Sequence, residues 1–265
     1  SNNGNGDFEE TQNIYEDLPK SFFIEAGDLD GDEYPDILVS GETPDPLFYF
    51  EYDGLGGFER TYVVSAMNNA GRFHIQDLNG DGKQDILVGE EASSALYFHF
   101  QSAPSNDTYY GFEILEMEKT TFGMDLGDLN KDGIIDFVTG TSGTTSGAGK
   151  VIFYPGLAVS NQRPQFDDPI VLLENISTRD LEVVDIDNDD DLDLYIVSGS
   201  TEFKSGSDYY KDRLYINDGN SNFKLDTNAL PELAESGSNV IAADYDGDGD
   251  LDLFVGGRIK PNSYP

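Results

Sequence analysis

The sequence DYDGDGDLDLFVG, at residues 244–256, joins an acidic nine-residue loop to the start of an apolar strand. Acidic residues occupy loop positions 1, 3, 5 and 9, and a glycine occupies position 6. Hard cations such as Ca²⁺ bind about six to eight oxygen ligands, which alternate acidic side chains on a tight loop can supply. Position 6 needs a positive φ where the chain reverses, and glycine tolerates this best. The sequence therefore predicts a cation-binding loop that leads directly into a β-strand.

The chain contains four further loops of this form: DLDGDEYPD at 28–36, DLNGDGKQD at 77–85, DLNKDGIID at 128–136 and DIDNDDDLD at 185–193. Successive loops begin at a nearly regular interval, and self-similarity with a period of about 50 residues indicates a repeat architecture. Glu33 and Asp190 replace glycine at position 6. Aspartate tolerates a positive φ better than glutamate does, so the first loop is expected to fit the pattern least well.

Each loop is flanked by two predicted strands. Apolar residues lie at the fourth and second positions before the first aspartate of every loop, a period-two pattern that is typical of a strand. A short apolar run, such as residues 37–39 or 253–255, follows each loop. An unbroken apolar run indicates that both faces of the second strand are covered. The loop and its two strands are therefore expected to form a β-hairpin.

Two more apolar segments follow in each of the first four repeats. The third segments are residues 47–50, 96–100, 151–154 and 214–216, and the fourth are expected to start at Phe58, Phe112, Phe166 and Phe223. Four strands per repeat without a helical pattern predict an all-β fold of four-stranded antiparallel propeller blades. Residues 8–265 are expected to form this single domain, with repeats beginning near 21, 70, 121, 180 and 238, behind a flexible linker at 1–7.

The two ends of the chain leave the number of blades open. Phe8 precedes the loop at Asp28 by nearly the same spacing that separates each fourth segment from the next loop, so the N-terminus is expected to supply a fourth strand. Pro265 follows soon after the second strand of the fifth repeat. Either the N-terminal strand closes a five-bladed ring, or the chain is truncated at its C-terminus and belongs to a longer propeller. The second interpretation is favoured.

Composition restricts the classes of function. A formal net charge of −37 repels phosphate backbones, which argues against nucleic acid as a partner. The chain has no cysteine, and no apolar run approaches the roughly 18 residues of a membrane span. The sequence contains no phosphate-binding glycine loop and no nucleophile elbow. His74 is expected to be a structural hydrogen-bonding residue and His99 a packed strand residue, so no catalytic site is predicted.

The loops resemble the FG-GAP and VCBS repeats, of which the calcium-binding blades of integrin α-subunits are the best-known examples. The resemblance covers nearly the whole chain. In the last third, Asp185–Val197, Asp212–Gly219 and Ala243–Arg258 are similar to bacterial VCBS proteins that carry ASPIC/UnbV modules. The resemblance implies a β-propeller, seven-bladed in many members, with up to five Ca²⁺ ions in the hairpin loops of an exported protein. It implies no single activity.

Mapped onto this chain, the resemblance implies side-chain ligands at loop positions 1, 3, 5 and 9 and a carbonyl ligand at position 7. The side-chain ligands would be Asp28, Asp30, Asp32, Asp36, Asp77, Asn79, Asp81, Asp85, Asp128, Asn130, Asp132, Asp136, Asp185, Asp187, Asp189, Asp193, Asp244, Asp246, Asp248 and Asp252. The carbonyl ligands would belong to Tyr34, Lys83, Ile134, Asp191 and Asp250. The side chains of Asp191 and Asp250 are expected to be spare acids beside their sites.

The expected function is that of an extracellular, calcium-stabilised binding or scaffold module at a bacterial cell surface, with a protein or glycan partner. Export is expected because weak calcium sites would be mostly empty at cytosolic calcium levels. The segment Ser1–Gly6 is similar to the linker that follows a lipidated cysteine, so a lipid anchor upstream of Ser1 is expected. Two alternatives stay open: a glycan-binding module, and a polysaccharide-processing enzyme that uses a pair of carboxylates.

Overall fold

The computed structural model describes most of the chain between residues 20 and 259. The described residues are 14, 20–42, 46–62, 67, 69–90, 95–103, 106–116, 121–142, 149–160, 163–201, 203–231 and 233–259. The expected linker at 1–7 and the expected N-terminal strand at Phe8 lie outside these ranges. No helix within them is long and apolar enough to cross a membrane.

The described residues form five antiparallel sheets, one for each repeat, and one additional hairpin. The first two sheets contain β1 (Ser21–Gly27), β2 (Asp36–Gly41), β3 (Leu47–Tyr52) and β4 (Phe58–Tyr62), then β5 (Ala70–Gln76), β6 (Asp85–Glu90), β7 (Ala95–Ala103) and β8 (Asn106–Glu116). The third repeat contains β9 (Thr121–Gly127), β10 (Asp136–Thr141), β11 (Gly149–Tyr154), β12 (Gly156–Ser160), β13 (Arg163–Phe166) and β14 (Ile170–Ile176). The last two contain β15 (Thr178–Val184), β16 (Asp193–Ser198), β17 (Arg213–Ile216), β18 (Lys224–Asp226), β19 (Ser236–Ala243) and β20 (Asp252–Ile259).

The predicted all-β, antiparallel class is confirmed. Strands pair in chain order within the first, second and fourth sheets, and the third has the order β9-β10-β11-β14. The fifth sheet consists of β19 and β20 alone among the described residues. Helical structure in the described ranges is limited to the short 3₁₀ turn Asp208–Tyr210, between β16 and β17.

The expectation that Phe166 opens a fourth strand is wrong. Phe166 ends β13, and the fourth strand of the third sheet, β14, begins at Ile170. The ring of Phe166 packs on the rings of Phe98 and Phe137, with centroid distances of 5.6 and 4.7 Å. The aromatic residue at the expected spacing therefore marks core packing on an inserted hairpin, β12–β13. Phe112 also lies inside its strand, β8, and not at the start.

All five loops close their hairpins in the same register. In every repeat the aspartate at loop position 9 is paired with the residue immediately before loop position 1, as in Asp36 with Gly27 and Asp252 with Ala243. A one-residue slip would turn the apolar face of a strand to solvent. Burial of that face therefore fixes the register and gives all five loops the same frame.

The hydrophobic core lies in layers between neighbouring sheets. Leu38, Leu87, Val138 and Tyr195, at the second position after loop position 9 in the first four repeats, are buried in the layer shared with a neighbouring sheet. The equivalent Phe254 is 73% exposed. The expectation that both faces of the second strand are covered is confirmed for β6, β10 and β16 and is wrong for β20, because no described residue packs on its outer face.

The first strands of the sheets contact one another in the order β1, β5, β9, β15, β19. In three repeats, the acid at the third position before the loop bonds to the backbone of the next first strand. Glu25 accepts from the Ile75 N–H, Asp125 accepts from the Val183 N–H at 2.6 Å, and Glu182 accepts from the Ala242 N–H at 3.2 Å. Each bond joins equivalent levels of two strands, so the strands are parallel and the hairpin loops share one end of a propeller-like array.

Candidate metal centres

Each loop is wrapped around the carboxylate at its first position. In the fifth loop, Asp244 accepts hydrogen bonds from the N–H groups of Gly247, Asp248 and Gly249, at 2.7, 3.1 and 3.1 Å. The same bonds to positions 5 and 6 occur in the other four loops. Short aspartate side chains readily bond to backbone N–H groups a few residues ahead, which is why this sequence turns so tightly.

The residue at loop position 6 has a positive φ in all five loops, as predicted from its usual glycine. Glu33 and Asp190 adopt this conformation with φ of 75° and 67°, so the first loop has the same backbone as the others. Position 4 also has a positive φ in every loop, a requirement that sequence reasoning missed. Its residues are Gly31, Gly80, Lys131, Asn188 and Gly247. Three glycines and an asparagine at this position were the available signal.

The loops bring oxygen-bearing side chains together. Three acids lie with ligand oxygens within 4.8 Å of one another in the first, fourth and fifth loops: Asp28, Asp30 and Asp32; Asp185, Asp187 and Asp193; and Asp244, Asp246 and Asp248. Asn79 and Asn130 take position 3 of the second and third loops and supply amide oxygens. Position 7 also belongs to the loop frame, because its N–H donates to the position 5 carboxylate in every loop.

The aspartate at position 9 joins the loop to the third strand. Asp36, Asp85, Asp136 and Asp193 are fully buried, and each accepts from the N–H of loop position 2 and from an N–H at the end of the third strand. Burial raises the pKa of Asp36, Asp136 and Asp193 to about 6 and that of Asp85 to about 7, although these backbone donors oppose the shift. Asp252 is exposed and accepts from Tyr245 alone among the described donors.

This donor set fits a hard cation. It consists of carboxylate and amide oxygens at alternate positions of a tight loop, with a backbone carbonyl available at position 7, and it contains no sulfur or imidazole. Carboxylates this close repel one another, and a divalent cation would remove that repulsion. Positions 1, 3 and 5 come together in the first and fifth loops, and positions 1, 3 and 9 come together in the fourth. In the first four loops, both oxygens of position 9 also accept from backbone donors.

Two pairs of neighbouring loops, the third with the fourth and the fourth with the fifth, are joined by side-chain contacts from position 4 of one loop to position 7 of the next. The Lys131 ammonium forms an ion pair with the Asp191 carboxylate, and the Asn188 amide donates to the Asp250 carboxylate at 2.8 Å. The expectation that Asp191 and Asp250 are spare acids is therefore wrong, because each side chain is engaged by the preceding loop. Sequence reasoning could not find these pairs, because the two members of each pair belong to different repeats.

A second cluster of ionisable side chains lies where the first strands of the sheets meet. Arg72 forms an ion pair of 2.8 Å with the buried Asp180, so the pair joins the second sheet to the fourth. The backbone of Asp180 lies directly against Gly123 of the third sheet. His74 lies next to this pair, and its Nε2 is 2.6 Å from the Met124 carbonyl oxygen, which fits the predicted structural role. Sequence reasoning missed Arg72 and Asp180. His99 is buried in β7, as predicted, and burial lowers its pKa to about 4.

A groove of about 410 Å³ lies between the fourth and fifth sheets. Tyr195, Tyr210 and Asp212 line one side, and Leu253 and Val255 of β20 line the other. The Tyr195 hydroxyl donates to Asp212 at 3.3 Å, and Ser198 donates its N–H to the same carboxylate at 2.7 Å. The groove therefore combines exposed apolar surface, such as that of Leu233, with a fixed acid, whereas the two tyrosine rings are almost fully buried.

Repeated antiparallel sheets with acidic hairpin loops at one end define a propeller-like repeat protein. The family model described as the FG-GAP-like repeat matches residues 28–88, 77–139 and 185–255, and the chain belongs to this family. No curated protein matches the chain.

One solved structure that is similar to this chain is described as "Crystal structure of BBS1N in complex with ARL6DN, soaked with lead". It is 15% identical to this chain, with a TM-score of 0.47. The match covers 81% of this chain and 57% of that one, so this chain spans little more than half of its length.

Proposed function

We propose that this FG-GAP-repeat chain is a calcium-stabilised binding or scaffold module. The observation that carries the proposal is the set of five oxygen-lined loops of one backbone form at one end of the sheet array. Such loops would hold the surface rigid, and a rigid surface is suited to binding a partner. This role needs no catalytic residues. The backbone hydrogen bonds that the loops share serve to hold the fold together.

The ions would be held by loop positions 1, 3 and 5, by the position 7 carbonyl and by position 9. Ca²⁺ supplies positive charge and flexible oxygen coordination when bound. The chain itself supplies the frame, because position 1 gathers the N–H groups of its own loop and position 9 ties that loop to the third strand. The proposal includes all five loops.

The module is proposed to act outside the cell, as part of an exported bacterial protein of the VCBS type. Weak calcium sites, with Kd of about 10⁻⁴–10⁻³ M, fill only at extracellular calcium levels. The partner is proposed to be a surface protein, and a lipid anchor upstream of Ser1 would keep the module at the membrane surface. The charge of −37 disfavours nucleic acid as a partner.

The test is thermal unfolding with and without calcium. An ion bound only by the folded loop stabilises it by RT ln(1 + [Ca²⁺]/Kd), about 1.4 kcal/mol per site at tenfold saturation, so five sites would give roughly 7 kcal/mol. EGTA is expected to lower Tm strongly. Ca²⁺ should restore it, whereas Mg²⁺ should restore little, because Mg²⁺ requires rigid octahedral geometry. An unchanged Tm in EGTA would show that the loops are not metal sites.

A second candidate function is glycan binding, which the groove between the fourth and fifth sheets favours. Asp212 and the exposed Glu235 offer hydrogen-bond acceptors there, and Leu233, which is 64% exposed, offers apolar surface beside them. A glycan array combined with a reducing-sugar assay separates the alternatives. Binding without turnover would support the glycan-binding module, and turnover would support a polysaccharide-processing enzyme. If the protein neither binds nor cleaves a glycan, the protein-binding scaffold is the function that is supported.

A further inference from the structure

The third loop carries a lysine where three other loops have glycine. Lys131 occupies position 4 with a φ of 57°, and its ammonium reaches out of its own loop to the Asp191 carboxylate of the fourth loop. About half of the Lys131 side chain is exposed, whereas Asp191 is largely covered. The contact therefore places a positive charge from one repeat on the edge of the acidic loop of the next repeat.

The fourth loop is the most acidic of the five. Its six aspartates are Asp185, Asp187, Asp189, Asp190, Asp191 and Asp193. The hydrogen bond to Asp191 raises the pKa of Lys131, and attraction to Asp190 and Asp189 adds to this effect. The ammonium thus interacts with several carboxylates of the loop. The Lys131 ammonium therefore places a positive charge of the protein itself at this acidic cluster.

The next pair of loops repeats the contact without the charge. The Asn188 amide, at position 4 of the fourth loop, donates to Asp250 at position 7 of the fifth loop, at 2.8 Å. Asn188 also has a positive φ, of 62°. The two contacts share backbone positions and a carboxylate acceptor but differ by one unit of charge in the donor. The chain therefore contains its own matched comparison for the effect of that charge.

We propose that Lys131 is a tethered counter-ion that weakens divalent cation binding in the fourth loop relative to the fifth. An ammonium beside the loop repels an incoming divalent cation, and it offsets carboxylate repulsion while that cation is absent. The inference rests on the proposed calcium function. Asn188 makes the same contact as a neutral donor, so the fifth loop lacks this competing charge.

The test is a Ca²⁺ titration followed by amide NMR, which reads each loop separately. The N–H groups of Asp190 and Gly249 both donate to the position 1 carboxylate of their loops and are suitable reporters. Lys131→Met is expected to raise the calcium affinity of the fourth loop about tenfold at low ionic strength, as expected for one nearby charge, and less in high salt. The fifth loop should not change. An unchanged or weaker fourth loop would overturn the proposal.

Substitutions that place the positive charge beside the fifth loop give the reciprocal test. Asn188→Lys is expected to weaken calcium binding in the fifth loop by a similar factor, and Lys131→Arg should keep the wild-type affinity because it keeps the charge. Lys224→Met, which removes an exposed charge on β18, is the control and should leave both loops unchanged. An equal effect of Lys224→Met would refute the specific role of Lys131.

The wild-type titration distinguishes the two proposals. If neither reporter responds to Ca²⁺, the proposed calcium function fails and the tethered counter-ion fails with it. If both reporters respond but Lys131→Met and Asn188→Lys have no effect, the calcium function stands and the tethered counter-ion is wrong. Tm measurements in EGTA confirm that each variant is folded before its titration is interpreted.

Discussion

The fourth and fifth repeats contain almost the same hairpin in very different surroundings. Position 2 of the fourth loop, Ile186, packs into the layer shared with the fifth sheet, whereas its equivalent in the fifth loop, Tyr245, is 90% exposed. Position 9 of the fourth loop, Asp193, is buried with two backbone donors, whereas Asp252 is exposed with one described donor. Positions 4 and 6 nonetheless have a positive φ in both loops.

This difference separates what a loop does by itself from what its neighbours do. The turn forms wherever the acidic pattern occurs, because its hydrogen bonds are local. The anchoring of the loop depends on a third strand and on a following sheet, which the described part of the fifth repeat lacks. The fourth loop is therefore expected to stay anchored without a cation, and the fifth loop to depend on a cation for its anchoring.

The largest expected contrast concerns two equivalent aromatic residues. Tyr195→Ala should cost about 3–5 kcal/mol of unfolding free energy, because a buried ring leaves a cavity. Phe254→Ala should change it by less than about 0.5 kcal/mol, because the ring is exposed. Urea unfolding in saturating Ca²⁺ measures both. Equal costs would mean that the outer face of β20 is covered in solution.

Position 9 gives the next contrast, measured as urea unfolding in EGTA. Asp193→Ala leaves two buried N–H groups, of Ile186 and Asn217, without an acceptor. The expected net cost is about 1–3 kcal/mol, since burial of the carboxylate itself is unfavourable. Asp252→Ala should cost less than about 1 kcal/mol in EGTA, because it removes a single exposed acceptor, and should act mainly by removing calcium stabilisation. A larger cost for Asp252→Ala would reverse the comparison.

The smallest expected effect concerns Glu182, whose equivalent in the fifth repeat is the apolar Ile241. Burial, and then repulsion by Asp125, raises the pKa of Glu182 to about 7 from its usual 4.5. The folded state therefore binds more protons than the unfolded state between these values, and this residue makes stability fall as pH rises from about 4.5 to 7.

Glu182→Gln should accordingly stabilise the protein at pH 8, by about 1–2 kcal/mol once partial exposure is taken into account. The glutamine oxygen can still accept from the Ala242 N–H. The stabilisation should vanish below about pH 3.5, where Glu182 is largely protonated in both states. Melting curves of the two proteins across this pH range test the sign, and a variant that is less stable than wild type at pH 8 would contradict it.

Sequence periodicity predicted the hairpins well because their determinants are local. The apolar residues before each loop, the glycines within it and the apolar run after it all belong to one short, continuous stretch of chain. The errors arose where a residue of the right type served another element. Phe166 has the spacing of a strand start but belongs to an inserted hairpin, and Asp191 looked like a spare acid because its partner, Lys131, belongs to a different repeat.

The sequence by itself determined the all-β class, the repeat period, the loop conformation and the oxygen-rich candidate ligands, because each depends on residues that are close in the chain. Only the tertiary structure decided which position 9 aspartates are buried, that Arg72 pairs with Asp180, and that the fourth loop receives a lysine while the fifth receives an asparagine. The burial of position 9 depends on the third strand of its repeat and on the sheet that follows, and the other contacts join side chains from different repeats. A spacing pattern within one short stretch carries no information about which distant side chain it meets.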